Sequence, residues 1–475
     1  MQTEPPIIVW FRQDLRLADN QALDAAARST HPVLPIYVLD DAAAGEWAMG
    51  GASRWWLHQS LAALGKELGG ALRCFAGPAD TVVPALTRET GALAVYINRC
   101  VEPWRRERDA RIGTDLAALG IELKLFAGPT LFDPARVLKA DGTPYRVFTP
   151  FYRKGCLERA EPPREPLVAP RALRTFRLGR DASVGSLGLM PKIPWYRPLQ
   201  SQWRCGEAGA LARLDAFLDS GLRGYAQGRD RPDLAHVSRL SPHLHFGEIS
   251  PNQVWHTVLP LGNDRSLADD VDVFLSELGW REFSNYLLWH WRSLPIENLQ
   301  GRFDRFPWES HADGLGRWQR GETGYPMIDA GMRELWQTGY MHNRVRMITG
   351  SFLVKNLLQH WHHGERWFWD TLVDADLANN SASWQWVAGT GADAAPYFRV
   401  FNPVTQGQRF DPKGDYVRRF VPELERLKGP EVHMPWKAPA AVQSGLDYPK
   451  PIVELKASRA RALAAFESIS GEAGR

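Results

Sequence analysis

Cysteine is scarce in this chain of 475 residues, which contains only Cys74, Cys100, Cys156 and Cys205. These residues lie far apart, and none forms a CxxC or mixed Cys/His spacing of the kind that binds zinc or an iron–sulfur cluster. We therefore expect no metal site and no disulfide framework. Reduced, mostly structural thiols indicate a cytoplasmic protein.

Signals for secretion and membrane insertion are also missing. We find no signal peptide and no apolar run long enough to cross a membrane, so we expect no membrane partner. The formal net charge is only +3, from 57 basic and 54 acidic residues. Because the chain as a whole is not strongly basic, binding of nucleic acid would require a local basic patch.

Tryptophan, in contrast, is abundant, with 20 residues against 12 tyrosines. We expect most of these side chains in the core or as surface anchors, because large aromatic groups dominate packing. Only tryptophans that occur together with polar groups in a defined spacing are candidates for function.

The first 131 residues alternate between short apolar runs and helical patterns. The apolar runs, which fit buried parallel strands, are Ile7–Phe11, Val33–Leu39, Leu72–Phe75 and Leu93–Ile97. The helical patterns between and after them are Asn20–Arg28, Ser53–Leu68 and Arg105–Leu119. This order predicts a doubly wound, Rossmann-like α/β domain over residues 1–131. The domain contains neither GxGxxG nor GxxxxGK[ST], so a conventional nucleotide site is not predicted there.

The composition of the chain changes after this domain. Residues 132–200 are rich in proline and lack a long periodic segment, which predicts an extended connector over the surface. Its aromatic segment Tyr145–Tyr152 is expected to pack against a domain. Residues 201–470 are predicted to be all-α. Helical periodicity appears in Gly206–Ser220, Ser266–Arg292, Pro326–Gln337, His342–His360, Gly364–Leu372 and Ile452–Ser468.

One face of a predicted helix carries a polar and aromatic set. Glu277, Trp280, Arg281 and Ser284 follow at i, i+3, i+4 and i+7, which places them on the same side. A surface Glu–Arg pair, worth only about 0.2–0.5 kcal/mol, would explain the pattern. Alternatively, Trp280 stacks on a base while Glu277 and Arg281 contact its polar edges.

The segment YMHNRVRM places Asn343, Arg346 and Met347 on one helix face, with Arg344 pointing elsewhere. An amide can recognise the donor and acceptor edge of a nucleobase, and methionine is a soft neighbour for an aromatic ligand. A core methionine and a capping asparagine would explain the octapeptide equally well.

A third segment, VSRLSPHLHFGEIS, contains a helix start signal. Ser241 offers a hydroxyl N-cap and Pro242 occupies the first helical position, while Ser238 and Arg239 just precede them. A helix N-terminus with hydroxyls and a cation suits an anion such as a pyrophosphate. A plain capped helix is the alternative.

The segment NNSASWQW carries two tryptophans, Trp384 and Trp386, that are two residues apart. On a helix they point to nearly opposite sides, so one can face a buried cofactor and the other a ligand cavity. Asn380 lies one turn before Trp384, on the same side. Trp308 and Trp361 are candidate electron relays, because neutral indoles oxidise readily. A role in the core is the alternative for each tryptophan alone.

Taken together, these segments resemble the class I cyclobutane pyrimidine dimer photolyases of the DNA photolyase/cryptochrome family. The motifs that match in family order are WFRQDLRLADNQAL, SRLSPHLHFGEIS, ELGWREF, TGYPMIDAGMREL, YMHNRVRM and NNSASWQWVAGTGADAAPYFRVFNP. The resemblance extends over nearly the whole chain. It implies an N-terminal α/β domain, a connector, and a C-terminal helical domain that binds flavin adenine dinucleotide (FAD) and DNA.

The resemblance also implies roles for individual residues. The positions that match FAD contacts are Tyr225, Val237, Ser238, Arg239, Leu240, Ser241, Phe274, Arg346, Asp374, Ala375, Asp376 and Asn380. Arg346 resembles the arginine paired with Asp374 beside the isoalloxazine, and Asn380 resembles the residue at flavin N5. The positions that match the photoreduction relay are Trp384, Trp361 and Trp308. Those that match contacts to damaged DNA are Glu277, Trp280, Arg281, Asn343, Arg344, Met347, Trp386 and Lys413, with Arg409 as a further phosphate contact.

The implied function is a deoxyribodipyrimidine photo-lyase, a carbon–carbon lyase that repairs DNA under blue light. Photolyases extrude the damaged bases from the helix, and a poorly stacked dimer costs less to extrude than normal bases. The flavin supplies the electron, and the protein orients it and excludes water. Glu277 either contacts the C4 carbonyl region of a pyrimidine as a protonated carboxyl or accepts from a donor there. The partner is damaged DNA, and we expect a monomer.

Four rival functions have distinguishable patterns. A signalling cryptochrome is disfavoured by the missing C-terminal extension and by Asn380, where plant-type receptors tend to carry aspartate. Enzymes that repair (6-4) photoproducts usually place histidines where this chain has Asn343 and Met347. A DASH-type cryptochrome fits WQW and Trp280 less well. A flavoprotein that binds DNA without catalysis is disfavoured by the complete set of pocket and relay residues.

The antenna chromophore is the point at which the chain departs from the family pattern. Folate-binding relatives carry an Asn-Glu pair where this sequence reads Glu102-Pro103-Trp104-Arg105. The antenna is therefore methenyltetrahydrofolate in another pose, a deazaflavin, or absent.

Overall fold

A five-stranded parallel sheet forms the N-terminal part of the chain in the computed structural model, which describes residues 4–180, 182–393 and 398–470. The strands are β1 (Ile7–Phe11), β2 (Val33–Leu39), β3 (Arg73–Ala76), β4 (Ala94–Asn98) and β5 (Glu122–Phe126). Their order is β3-β2-β1-β4-β5, with Ile7 opposite Val33 on one side and Ala94 on the other. The predicted doubly wound α/β fold is confirmed.

Helices connect these strands and cover the sheet. They are α1 (Gln21–Ala27), α2 (Asp41–Ala44), α3 (Gly51–Glu67), α4 (Ala79–Thr90) and α5 (Pro103–Ala118). Every residue of β1 and β2 is buried, which explains why both strands consist almost entirely of apolar residues. The side chains of Ile8, Trp10, Ile36, Val95 and Ile97 form the centre of this core.

The edge strand β5 was not predicted from the sequence. Its five residues, ELKLF, are all exposed or only partly buried, so the segment lacks the apolar run by which the other strands were recognised. It pairs with β4 through five consecutive residues, from Ala94 opposite Glu122 to Asn98 opposite Phe126. Pairing with a neighbour rather than burial therefore defines this strand.

The chain divides into two compact units, each built from separate stretches of sequence. The first unit comprises Met1–Arg223, Ser238–Arg292 and Asp376–Ala378, and the second comprises Gly224–Val237, Ser293–Ala375 and Asn379–Arg475. The domain boundaries predicted at residues 131 and 200 stay a prediction.

From Arg197 onwards the regular elements are helices. The helices up to residue 292 are α6 (Arg197–Gln202), α7 (Glu207–Ser220), α8 (Tyr225–Gly228), α9 (Ser241–Phe246), α10 (Pro251–Val258) and α11 (Ala268–His290). Those after it are α12 (Ala312–Arg320), α13 (Pro326–Thr338), α14 (Asn343–Ser351), α15 (Trp361–Thr371), α16 (Leu377–Ala388), α17 (Pro403–Phe410), α18 (Asp415–Phe420), α19 (Ala440–Gln443) and α20 (Leu455–Ser470). The second unit has its own apolar core, which includes Trp318, Ile348, Phe352, Trp361 and Trp384.

Two helix predictions were wrong. The single helix expected over His342–His360 is instead α14, followed by a π-helical turn at Phe352–Asn356. Leu358 follows two residues later with a φ of 49°, which lies in the left-handed region and is incompatible with a continued helix. The predicted N-cap Ser241 is the first residue of α9, and the cap position belongs to Leu240.

The connector contains short regular elements that the sequence did not reveal, among them a π-helical segment at Pro150–Arg159 and a 3-10 helix at Val184–Leu187. The expected packing of the aromatic segment Tyr145–Tyr152 is confirmed, because Tyr145, Phe148, Phe151 and Tyr152 are all buried. Among the described residues, no helix combines the length and the apolar character that crossing a membrane requires.

Candidate functional site

Helix α16 carries the two tryptophans that the sequence singled out. Trp384 is buried in the core of the second unit, at 5.0 Å from the ring of Phe368 and 6.3 Å from that of Trp318. Trp386 is half-buried, and its indole N–H donates a hydrogen bond of 3.0 Å to the carbonyl of Asp393. Residues i and i+2 of a helix are separated by about 200° around its axis, so the two rings leave the helix on different sides.

An arginine of α14, Arg346, is paired with Asp374, which lies just before α16. One terminal nitrogen of Arg346 donates to both carboxylate oxygens of Asp374, at 3.0 and 2.8 Å. Nε of Arg346 donates to the carbonyl of Met341 at 2.7 Å. Because three bonds hold the guanidinium, its position is fixed by the protein itself. The neighbouring carboxylate also raises the pKa of Arg346 against the opposing effect of burial.

Asn380 is oriented by the backbone of α15. Its side-chain nitrogen donates to the carbonyl of Glu365 at 3.0 Å, and Asn380 is 8% exposed. The amide nitrogen is therefore engaged inward, and its carbonyl oxygen is the atom that can accept a hydrogen bond from a ligand. Ser381, the next residue, donates to the Glu365 carboxylate at 2.6 Å and ties the same turn to α15.

The three predicted relay tryptophans all lie in the second unit and differ in depth. Trp384 and Trp361 are buried, whereas Trp308 is only partly buried and packs against the edge of the core. The ring of His360 lies 5.1 Å from that of Trp308 and 5.6 Å from that of Trp361. The series therefore runs from a solvent-accessible indole to two enclosed ones.

The YMHNRVRM segment starts α14, with His342 as its N-cap. Asn343 is exposed, and Arg346 and Met347 are half-buried. Arg344 forms an ion pair of 2.6 Å with Asp230 and lies 4.6 Å above the ring of Phe410.

The other predicted residues of the second unit differ in how far they are buried. Tyr225, Asp374 and Ala375 are buried, and Val237 is half-buried. Lys413 and Arg409 are exposed.

In the first unit, Trp280 forms part of an aromatic stack. The ring of Phe148 lies parallel to it, with centroids 3.8 Å apart and an interplanar angle of 11°. Phe148 covers one face of the indole and fixes its orientation, so that stacking of a ligand can use only the opposite face. The neighbouring Gly279 is required for this packing, because a Cβ there would lie 2.6 Å from the ring of Tyr152.

Arg281 and Glu277 flank Trp280 on α11. Arg281 donates to the carbonyl of Pro129 at 2.7 Å and pairs with Glu282 at 3.2 Å. Burial raises the pKa of Glu282 to about 7, against the opposing effect of Arg281. Glu277 is half-buried on the same helix. Arg281 is thus anchored by the protein, which the sequence pattern did not reveal.

The remaining predicted residues of the first unit are those at the start of α9, Phe274 on α11, and Asp376. Arg239 has a φ of 53° and its guanidinium lies 4.5 Å from the ring of Trp203. Leu240 and Phe274 are buried, Ser238 is half-buried and Ser241 is exposed. The carboxylate of Asp376 accepts a hydrogen bond of 3.2 Å from Nδ1 of His245.

Two residues that the sequence analysis missed support these side chains. Gln385, between the two tryptophans, is fully buried and bonds the backbone of a loop at Leu294, Glu297 and Leu299. Phe148 supports Trp280 as described above. The glutamine in WQW was visible in the sequence, but its partners lie about 90 residues away, and no local pattern could reveal them.

Comparison with known proteins gives the same result for both halves of the chain. A family model described as DNA photolyase matches residues 7–170, and a model described as the FAD binding domain of DNA photolyase matches residues 274–468. The predicted FAD-binding domain is thereby confirmed.

Individual relatives match along nearly the full length. A deoxyribodipyrimidine photo-lyase from Agrobacterium fabrum is 46% identical over 476 residues, which cover 98% of each protein. The crystal structure of a bacterial class III photolyase from Agrobacterium tumefaciens superposes with a TM-score of 0.93 at 45% identity, again over 98% of both chains. Cryptochrome-1 of Arabidopsis thaliana is 36% identical over 96% of this chain and 69% of its own.

These relatives confirm the predicted enzyme class, deoxyribodipyrimidine photo-lyase. They leave the predicted class I subgroup without support, since the structure superposed above is a class III enzyme. By fold, by family models and by full-length relatives, the chain belongs to the DNA photolyase/cryptochrome family.

Proposed function

We propose that this protein repairs cyclobutane pyrimidine dimers in DNA by light-driven electron transfer from reduced FAD. The observation that carries the proposal is the geometry around α16 in the second unit. Asn380 is held by Glu365, Arg346 is held by Asp374, and Trp384 and Trp386 leave the helix on different sides. Asn380, Arg346 and Trp386 are each fixed by a hydrogen bond to the protein, and Trp384 is enclosed by the core.

The donor and acceptor groups of the second unit fit a flavin. The carbonyl oxygen of Asn380 can accept a hydrogen bond, and a reduced flavin carries a hydrogen on N5. The Arg346 guanidinium supplies positive charge that suits an anionic reduced ring. We propose that Arg346, Asp374, Ala375, Asn380 and Tyr225 contact the flavin.

Further FAD contacts follow from the resemblance. In the second unit we propose Val237, and in the first unit Ser238, Arg239, Leu240, Ser241, Phe274 and Asp376. Bound at these residues in its reduced form, FAD would supply the electron for splitting of the cyclobutane ring.

The relay tryptophans maintain the reduced cofactor in this proposal. Trp384 is buried, Trp361 is buried, and Trp308 reaches the solvent. An electron that leaves Trp384 is replaced from Trp361 and then from Trp308, where an external reductant restores the indole. The direction follows from exposure, because Trp308 is only partly buried whereas Trp361 and Trp384 are both buried.

The substrate residues orient the extruded dimer. In the first unit, Trp280 offers one ring face because Phe148 covers the other. In the second unit, we propose that Trp386 stacks on the lesion and that Asn343 and Met347 contact its edge. We further propose that Glu277 and Arg281 address the polar edge of the pyrimidines, and that Arg344, Arg409 and Lys413 contact phosphates.

A photoreceptor is the second candidate, and one finding supports it. The chain matches Cryptochrome-1 over 96% of its length. The amide at Asn380, held as an acceptor, favours the enzyme, because repair requires accumulation of the fully reduced cofactor. For a (6-4) enzyme, by contrast, the histidines expected in the pocket are replaced by Asn343 and Met347.

The sequence departs from folate-binding relatives at residues 102–105, and we propose that a folate does not bind there as it does in those relatives. Glu102 is buried and pairs with Arg105 at 3.3 Å. Trp104 is covered by the guanidinium groups of Arg105 and Arg108, at 4.5 and 5.2 Å. We therefore propose that any antenna chromophore, methenyltetrahydrofolate or deazaflavin, binds elsewhere. Mass spectrometry of chromophores extracted from the native protein tests this, with Glu102→Gln expected to retain any antenna found.

The proposal is tested with light-reduced protein and two oligonucleotides, one with a cyclobutane thymine dimer and one with a (6-4) photoproduct. Repair is followed under blue light against a dark control. We expect light-dependent loss of the cyclobutane lesion alone. Bound and photoreducible FAD without repair of either lesion would reject the enzyme in favour of the photoreceptor.

The variant Trp386→Ala links this assay to the proposed pocket. Stacking of a base on an aromatic ring is worth about 1–3 kcal/mol, so affinity for damaged DNA should fall about fivefold to 150-fold. Trp336→Ala is the matched control, since Trp336 is a 65% exposed tryptophan of the same unit. Equal loss of affinity in both variants would remove Trp386 from the pocket.

A further inference from the structure

The indole of Trp361 has a hydrogen-bond partner that belongs to a loop rather than to a helix. Its Nε1 donates to the side-chain oxygen of Asn298 at 3.0 Å, and Trp361 is fully buried. The amide nitrogen of Asn298 in turn donates to the carboxylate of Asp304 at 2.7 Å. A carboxylate, an amide and an indole N–H thus form one chain of hydrogen bonds.

The orientation of the amide follows from this chain. A carboxylate can only accept, so Asp304 holds the amide nitrogen of Asn298 towards itself and the amide oxygen towards Trp361. Negative charge on Asp304 polarises the amide and strengthens the second bond of the chain.

The loop that carries Asn298 is itself fixed. Gln385 accepts from the backbone N–H of Leu299 at 3.0 Å and donates to the carbonyls of Leu294 and Glu297 at 2.7 and 2.8 Å. Gln385 is fully buried, and three bonds on both sides of Asn298 leave the loop little freedom. The glutamine between the two tryptophans of α16 therefore positions the partner of a third tryptophan.

We propose that Asn298, oriented by Asp304, is a positioning residue that stabilises positive charge on Trp361 and retains its indole proton while an electron passes. The inference rests on the proposed relay of Trp384, Trp361 and Trp308. An indole that has lost an electron is a much stronger acid than a neutral indole. An amide oxygen is too weak a base to remove the proton, but it accepts the hydrogen bond and stabilises the charge.

The balance of the step is simple. One electron leaves Trp361 for the oxidised Trp384, which becomes neutral, and Trp361 carries one positive charge with its N–H intact. One electron then arrives from Trp308, and Trp361 is neutral again without any proton having moved. If the proton were lost to a base, the electron from Trp308 would have to be accompanied by a returning proton, and the relay would stop at Trp361.

The other groups near Trp361 are compatible with this role. His360 stacks 5.6 Å from Trp361, and burial lowers its pKa to about 4, with a smaller contribution from His362 and His363. His362, 3.9 Å away, likewise has a pKa lowered to about 4. At neutral pH both rings are uncharged and add no positive charge beside the indole. Nδ1 of His360 accepts from the backbone N–H of His362 at 3.2 Å.

The first test requires no light. Protein labelled with ¹⁵N-tryptophan gives an indole signal for Trp361, assigned with Trp361→Phe, and its hydrogen exchange is measured in the dark. We expect Asn298→Leu to displace the signal and to accelerate exchange about tenfold, which is ~1.4 kcal/mol. Asp304→Asn, at an exposed position, should displace the Trp361 signal less. Asp313→Asn, at another exposed aspartate, is the control and should leave the signal unchanged. An unchanged signal in Asn298→Leu would overturn the proposal.

The second test follows charge migration by flash absorption spectroscopy of the FAD-loaded protein. In Asn298→Leu and Asp304→Asn we expect less positive charge to reach Trp308, by about tenfold in the first variant, with charge retained on Trp384. Unchanged yields in both variants, in a protein whose photoreduction is lost in Trp308→Phe, would overturn this inference alone. Photoreduction that survives in Trp308→Phe would overturn the relay and the inference together.

Discussion

Single side chains in this protein gain their chemistry from the group that holds them. The amide of Asn380 becomes an acceptor because its nitrogen is engaged by the carbonyl of Glu365. The guanidinium of Arg346 is aligned by Asp374, and the indole of Trp361 by Asn298. At each position the residue type alone permits several roles, and the hydrogen-bond partner selects one of them.

Replacement of Asn380 by aspartate tests this selection. A carboxylate cannot donate to the Glu365 carbonyl and would face it with like partial charge. We expect Asn380→Asp to accumulate less reduced flavin under light while FAD remains bound, measured as an absorbance trace during illumination. Asn379→Asp, the same change one residue earlier on α16, is the control. A normal trace for Asn380→Asp would reject the assigned role.

Lys355 predicts a pH dependence of stability. It is 5% exposed, and its Nζ donates to the carbonyl of Arg399 at 2.7 Å. Burial, with a smaller effect of Arg399, lowers its pKa from 10.5 to about 7. Between these values the unfolded chain binds the proton and the folded chain does not, so stability increases with pH by up to about 1.4 kcal/mol per pH unit.

Urea unfolding of Lys355→Met at pH 7 to 10 measures this contribution. We expect the variant to lose most of that increase and to be less dependent on pH than the natural protein. Lys428→Met, at an exposed lysine, should retain it. An identical slope in the natural protein and in Lys355→Met would show that the lysine is not held neutral.

At the scale of helices, α15 and α16 are fitted to one another through a glycine. A Cβ on Gly364 would lie 2.1 Å from the ring of Trp384. We expect Gly364→Ala to lower the free energy of unfolding by about 1–3 kcal/mol and to displace the Trp384 indole. Denaturant unfolding measures the first effect and the photoreduction trace measures the second.

Gly314→Ala on α12 is the matched control for this prediction. A Cβ there would meet His311 and Leu357 only at ordinary contact distances of 3.7 and 3.9 Å. Since alanine favours helices, this variant should be equally stable or more stable by up to about 1 kcal/mol. Equal loss of stability in both variants would mean that the helix, and not the close approach of Trp384, requires glycine.

The same helices show what sequence periodicity can and cannot predict. Spacing alone predicted the opposite directions of Trp384 and Trp386 and placed Asn380 one turn away. It extended α14 to residue 360, because apolar residues continue through the π-helical turn after the regular helix has ended. The stack of Phe148 on Trp280 and the bonds of Gln385 join distant parts of the sequence. Such contacts leave no local pattern.

For the molecule as a whole, composition predicts little about its partner. The net charge of +3 does not indicate a DNA-binding protein. The N-terminal fold could be predicted because buried parallel strands are apolar throughout, and the strand that was missed is the exposed edge strand β5. Under the proposed function, contacts to DNA phosphates would depend on individual cations, of which Arg344 is already paired with Asp230.

Salt dependence separates these cations. If Lys413 contacts a phosphate, Lys413→Ala should reduce the slope of log affinity against log salt by about 0.9, independently of the lesion. Fluorescence anisotropy with damaged and undamaged oligonucleotides at several salt concentrations measures it. Lys428→Ala, at another exposed lysine, should retain the natural slope. Equal slopes for both variants would remove Lys413 from the phosphate contacts.

Placing Trp384 and Trp386 on one short helix has a consequence for how the protein can change over time. An insertion or deletion of a single residue in α16 would rotate everything after it by about 100°. Trp386 would lose its direction, and Gln385 its hold on the loop of Asn298. The proposed activities are binding of the lesion and reduction of the cofactor. Related proteins that retain either of them should therefore also retain the length of this helix. In α16 we therefore expect related proteins to differ by substitutions and not by insertions or deletions. One of the two activities would then be gained or lost without the other only through a change of side chain.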